Sequence, residues 1–137
     1  MEKVIYAALC LVSVAFAENI DERQKAIEAW EKVISFHEEE CLQESGADEN
    51  LVNNAFRAAR FPDDYNFKCF FKCHYFNLGF MDKEGNFNEE VILNRIHGGD
   101  THIMKVCENV AYKEIDLCNR TYAFINCGMP MIFAKYV

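Results

Sequence analysis

Residues 65–80 read YNFKCFFKCHYFNLGF, and this stretch decides the fold. At helical spacing, one apolar face carries Phe67, Phe70, Phe71, His74 and Leu78, and a second carries Cys69, Cys73, Phe76 and Phe80. A helix that is apolar most of the way round must be buried on several sides. We therefore predict that this helix, which begins after Asp63 and Asp64, is the central element of the domain.

The same helical periodicity continues on both sides of this stretch. A long amphipathic helix is predicted over 21–43, with a stop at Gly46. Other helices are predicted from Asp48 to Pro62, from Asn88 to Gly98, from Asp100 or Thr101 to Ile115, and over 119–126. Gly128 and Pro130 are expected to end the last helix and leave an apolar tail over 129–137. No strand-like alternation interrupts the pattern, so the prediction is a compact all-α bundle of six helices.

The first seventeen residues have the pattern of a secretory signal peptide. A short charged start precedes an apolar run from Val4 to Phe16, and Ala15-Phe16-Ala17 forms a small-residue cleavage site. The run is too short to cross a bilayer, although an N-terminal anchor is the alternative interpretation. We therefore predict a signal peptide over 1–17 and one secreted domain over 18–137.

Six cysteines fall within that domain, spaced Cys41-x27-Cys69-x3-Cys73-x33-Cys107-x10-Cys118-x8-Cys127. An even number of cysteines in a secreted chain predicts three disulfides. A metal site is disfavoured, because Cys69 and Cys73 have no second close thiol pair to complete it. Those two side chains are nearly parallel on one helix and should not bridge each other. On a continuous helix Cys107 and Cys118 would be about 16 Å apart, which leaves several other pairings open.

This cysteine spacing, in a helical pattern after a signal peptide, resembles the six-cysteine insect odorant-binding proteins (the pheromone-binding and general odorant-binding family). The resemblance implies three interlocked disulfides, Cys41–Cys73, Cys69–Cys118 and Cys107–Cys127, around an apolar cavity. It also implies a secreted carrier that binds and solubilises small hydrophobic ligands, such as odorants or pheromones, and delivers them to receptors.

Aromatic side chains supply the candidate binding site, since eight phenylalanines lie between residues 56 and 87. Aromatic residues at helical spacing usually form an ordinary core, which is the alternative here. The resemblance implies that ligand contacts come from Ile34, Phe56, Phe71, Tyr75, Phe76, Met104 and Phe124. Phe71 and Phe76 stand where some relatives are polar, which favours a bulky or aromatic ligand. Tyr75 and Tyr122 are the expected hydrogen-bond donors. The tail is expected to form a lid that adds Phe133 to the ligand contacts, the alternative being that it only covers ordinary core surface.

Other classes of function are disfavoured by charge and by motif. The net charge of −8 argues against nucleic acid and against anionic membranes as partners. The loop after Asp82 lacks the glycine and glutamate of a calcium loop, and no catalytic motif is present, so neither an enzyme nor a metal or other cofactor is predicted. The expected partners are a small hydrophobic ligand and a membrane odorant receptor, with the chain a monomer or weak homodimer in sensillar lymph or another body fluid. The alternatives are a non-olfactory carrier and a membrane-active secreted helical protein.

Overall fold

The computed structural model describes residues 20–136, so the predicted signal peptide at 1–17 lies outside the described residues. Within that range the protein has seven α-helices and a closing 3-10 turn, with no helix long and apolar enough to span a membrane. The helices are α1 (20–35), α2 (Glu38–Ser45), α3 (Glu49–Asn54), α4 (Tyr65–Asn77), α5 (Glu89–Arg95), α6 (Thr101–Ala111) and α7 (Leu117–Phe133). The all-α fold class predicted from the sequence is therefore confirmed.

Side-chain caps fix where most of these helices begin. Asp64 accepts a hydrogen bond from the Phe67 amide at 2.8 Å and so starts α4. Asp48, Asn88, Asp100 and Asp116 cap α3, α5, α6 and α7 in the same way. Each cap satisfies an amide at a helix start that has no partner inside the helix. Gly46, with φ of 67°, ends α2 as the sequence predicts.

The helix predicted over 21–43 is broken, which explains why the structure has seven helices where the sequence predicted six. The chain leaves helical geometry at Phe36 and His37. The Ile34 carbonyl accepts from the His37 amide at 3.3 Å and lies 2.7 Å from Nε2 of His74 on α4. A side chain that binds a helix carbonyl from outside competes with the regular hydrogen-bond ladder. Three glutamates at the start of α2 then stabilise its N-terminal end.

The prediction that the last helix ends at Gly128 is wrong, because α7 runs on to Phe133. Gly128 faces α6, where a Cβ would lie 3.6 Å from Ile103 and 3.9 Å from the sulfur of Cys107, both ordinary van der Waals distances. Pro130 is exposed, so water can serve the Asn126 carbonyl that loses its amide partner. Glycine and proline have low helix propensity, and the burial of Met129 and Ile132 offsets this cost at Gly128 and Pro130.

Two further helices end earlier than predicted. The helix expected to reach Pro62 ends at Asn54, and Ala59 adopts a positive φ of 49° while the Arg60 amide bonds to the Ala55 carbonyl. The stripe expected to reach Ile115 stops at Ala111, and Ile115 is 90% exposed. In both places a turn redirects the chain towards the capping aspartate of the next helix.

Three disulfides connect the helices and place α4 at the centre. Cys41–Cys73 joins α2 to α4, Cys69–Cys118 joins α4 to α7, and Cys107–Cys127 joins α6 to α7. These are the pairs that the family resemblance implied. Both α4 and α7 take part in two of the three links, and α4 is the structural centre of the bundle because it also buries several aromatic side chains.

Candidate functional site: an apolar cavity

The helices surround a partly open cavity of about 60 Å³ whose wall is almost entirely apolar. Five helices contribute to it: α1, α4, α5, α6 and α7. Aromatic rings form much of the wall, since Trp30, Phe56, Phe71, Phe80 and Phe124 all line it. Such a lining stabilises an apolar guest by removing its surface from water.

Six of the eight residues predicted to contact a ligand lie in this wall: Ile34, Phe56, Phe71, Tyr75, Met104 and Phe124. Phe76 and Phe133 do not line the cavity. Phe76 is half-buried on another side of α4, where the ammonium of Lys72 lies 5.2 Å from its ring centre. Phe133 packs edge-on against Trp30 with the ring centres 5.2 Å apart, so it covers the outside of the wall.

Several wall residues were not among the predicted ligand contacts. Trp30, His74 and Ile103 lie on helices whose apolar faces were recognised, yet their position at the cavity depends on how the helices are oriented. Ile92 on α5 and Ile96 directly after it also line the cavity, although no ligand contact was predicted in this segment. A helical interpretation continued through Gly128 would have placed Met129 and Ile132 on the same face as Phe124 and Ile125, which is where they lie.

The two tyrosines predicted as hydrogen-bond donors lie in different environments. The Tyr122 hydroxyl donates to the Phe61 carbonyl at 2.8 Å, and Tyr122 is not part of the cavity wall. Tyr75 lines the cavity and is 8% exposed. Its ring contacts Phe80 and Phe124, with ring centres 5.2 and 6.1 Å away.

The other polar groups of the wall already have partners. The Trp30 indole donates to the His97 carbonyl at 2.8 Å. The Asp100 carboxylate accepts from Lys135 at 2.7 Å and from the Ile103 amide at 2.8 Å, and these hydrogen bonds, that from Lys135 most of all, lower its pKa. Neither group can bind a ligand strongly without losing a bond to the protein.

His74 is the most deeply buried titratable group of the wall, at 1% exposure. Its Nε2 lies 2.7 Å from the Ile34 carbonyl oxygen, and its Nδ1 lies 3.1 Å from that of Phe70. Burial lowers the pKa of His74, although the two carbonyls oppose that shift. A neutral ring has one N–H and can donate to only one of the carbonyls, so His74 joins α4 to the end of α1 without carrying charge.

The wall is unevenly buried, which indicates where the cavity meets solvent. Residues from α4 and α7, such as Phe71 and Phe124, are buried, whereas Val33, Ile34, Leu93 and Ile96 are half-buried. The mouth therefore lies between α1 and α5. A cavity of about 60 Å³ is smaller than the roughly 150 Å³ in which an engineered apolar cavity holds benzene, so a ligand of that size requires part of the wall to yield.

This geometry defines a class: a small helical binding protein, cross-linked by three disulfides around an apolar cavity. The sequence profile of the PBP/GOBP family matches residues 23–130 of the chain. The protein therefore belongs to the PBP/GOBP family, and its six paired cysteines fit the insect odorant-binding proteins. Members of this family are secreted carriers rather than enzymes. No curated protein and no solved structure matches the chain.

Proposed function

We propose that this protein takes up small hydrophobic semiochemicals, such as odorants or pheromones, in its cavity and delivers them to membrane receptors. The observation that carries the proposal is the cavity between the helices, with its aromatic and aliphatic wall. Transfer of a volatile apolar molecule from water into such a wall contributes about 25 cal/mol for each Å² of apolar surface buried, before the entropic costs of binding.

The disulfides support this use of the interior. Most small domains gain their stability from a tightly filled core. Here three covalent links join α2, α4, α6 and α7, so the bundle can hold unfilled space without depending on packing alone. The half-buried residues at the mouth then provide a route by which a ligand reaches the interior.

Displacement of an apolar fluorescent probe tests the proposal. N-phenyl-1-naphthylamine is titrated into the secreted protein and into the variants Phe124→Ala and Phe71→Asp. Both variants alter the wall, the first by removing apolar contact area and the second by placing a carboxylate there, so each should weaken probe affinity about tenfold or more.

Phe76→Ala is the matched control, because Phe76 lies on α4 next to Tyr75 but outside the wall. Its probe affinity should stay within about twofold of the wild type, a negligible free-energy change. Circular dichroism checks that each variant keeps its helices. Wild-type affinity in both wall variants would place the binding site elsewhere.

A further inference from the structure

One hydroxyl in the cavity wall differs from every other polar side chain there. Among residues 20–136, the Tyr75 hydroxyl has no hydrogen-bond partner, and burial alone raises the pKa of this phenol. Every fully buried side-chain nitrogen or oxygen in this part of the chain does have a hydrogen-bond partner. The Tyr75 hydroxyl therefore retains accessible surface, even though the residue as a whole is 92% buried (8% exposed).

The position of this hydroxyl is fixed by the surrounding structure. The Tyr75 ring packs against Phe80, Phe87 and Phe124, with ring centres 5.2, 6.3 and 6.1 Å away. The Tyr75 carbonyl accepts hydrogen bonds from the Phe80 and Met81 amides at 2.8 and 3.1 Å. A group held in this way loses little conformational freedom on binding, which favours recognition.

The chemistry of the hydroxyl determines which ligand group it suits. A raised pKa keeps the phenol protonated at physiological pH, so it presents a donor. A carbonyl oxygen accepts that hydrogen bond and brings no donor of its own. An alcohol oxygen also accepts it, but the alcohol then carries its own O–H into a wall whose other polar groups are already paired.

We propose that the Tyr75 hydroxyl selects ligands that carry a carbonyl group, namely ketones, aldehydes or esters, over hydrocarbons of the same shape. The carbonyl lies at the inner end of the cavity beside Tyr75, and the apolar remainder extends towards the mouth between α1 and α5. This inference rests on the proposed carrier function and adds the class of ligand.

Three aromatic volatiles of nearly equal shape test the inference: acetophenone, 1-phenylethanol and α-methylstyrene, which place a ketone, an alcohol and an alkene at the same position. Their binding to the secreted protein is measured by headspace gas chromatography. Tyr75→Phe should weaken acetophenone binding about 3- to 10-fold, the range for one net hydrogen bond. It should weaken 1-phenylethanol less and leave α-methylstyrene unchanged.

Tyr122→Phe is the matched control, because its hydroxyl bonds to the Phe61 carbonyl outside the wall. It should change none of the three affinities. Equal affinity of wild type and Tyr75→Phe for acetophenone would overturn the inference while leaving the carrier function intact. Loss of all three ligands in Tyr75→Phe would also overturn it, since the tyrosine would then support the cavity itself. Failure of the wild type to bind any of the three would contradict the proposed function.

Discussion

The two ends of the cavity are built differently. At the inner end α4 and α7 are joined by Cys69–Cys118, and Tyr75 is packed among aromatic rings. At the outer end, α5 and the loop after it have no disulfide within the described residues. Hydrogen bonds hold that loop instead, from the Trp30 indole to the His97 carbonyl and from Lys135 to the Gly98 carbonyl.

Because of this difference, the inner end can recognise the ligand while the outer end gives the ligand access to the cavity. A ligand larger than about 60 Å³ requires part of the wall to move. Local opening occurs where few apolar contacts and exposed hydrogen bonds hold an element, and this describes the half-buried outer end. The inner end can then keep its geometry while ligands exchange through the outer end.

The largest expected effect is on stability at the inner end. Replacing Cys69 and Cys118 together by alanine opens a loop of 49 residues and should lower the free energy of unfolding by about 2–5 kcal/mol. Urea denaturation under non-reducing conditions measures it. Ile96→Ala at the outer end is the comparison and should cost less, about 1–2 kcal/mol, because Ile96 is only half-buried. Equal losses in the two variants would remove the distinction between the two ends.

Most of the fold could be predicted because its signals are local. The capping residues Asp48, Asn88 and Asp100 and the stop at Gly46 act on neighbouring amides, so the sequence alone indicates them. The break after Ser35 could not be predicted, since it involves the Ile34 carbonyl and the His74 side chain, which lie forty residues apart in the sequence. The same holds for α7, whose continuation past Gly128 buries Met129 and Ile132 in the cavity wall.

The candidate site was harder to predict because it depends on helix orientation. Tyr75 and Phe76 are neighbours on one helix, yet only Tyr75 lines the cavity. Successive residues on a helix point about 100° apart, and the sequence does not say which of two apolar faces meets the cavity. Whether a tyrosine hydroxyl has a hydrogen-bond partner also depends on the tertiary structure. Tyr122 shows this, because its hydroxyl donates to the Phe61 carbonyl.

A smaller effect on the free energy of unfolding is expected at His74, which lies where the two ends of the cavity meet. Burial lowers its pKa in the folded protein, whereas the unfolded chain has the ordinary value of about 6.5. Above that pH the ring is neutral in both states. As pH falls below it, the unfolded state takes up the proton first, so the free energy of unfolding should decrease. Thermal midpoints between pH 7.5 and 5 should show this loss, and His74→Gln should reduce it.

Two neighbouring groups, His37 and Glu38, also affect the protonation of His74, so a control variant is needed. The His37 ring centre lies 6.4 Å from that of His74 and its charge opposes protonation, while Glu38 favours it. His102→Gln, at an exposed position on α6, should leave the pH slope at its wild-type value. A His74→Gln slope equal to that of the wild type would mean that other groups cause the acid sensitivity.

The smallest effect on stability is expected at the C-terminal residues that hold the outer end. The segment predicted to form a lid contributes in two ways. Met129 and Ile132 form part of the cavity wall, whereas Lys135 only bonds to Gly98 and Asp100 at the edge of the cavity. Truncation after Gly128 would remove both parts and could not separate them. Lys135→Met keeps the apolar stem and removes only the charge and its two hydrogen bonds, each 2.7 Å long.

An ion pair that is partly exposed adds little to stability, so the thermal midpoint of Lys135→Met should move only slightly. Dissociation of N-phenyl-1-naphthylamine, followed by stopped-flow fluorescence, should nevertheless become faster, because the loop next to the mouth loses its tie to the 3-10 turn that follows α7. Lys113→Met, at an exposed position after α6, is the matched charge control and should leave the rate unchanged. High salt should speed release from the wild type and have less effect on Lys135→Met, since screening weakens the same pair. An unchanged rate in Lys135→Met would show that ligand exchange does not depend on this tie.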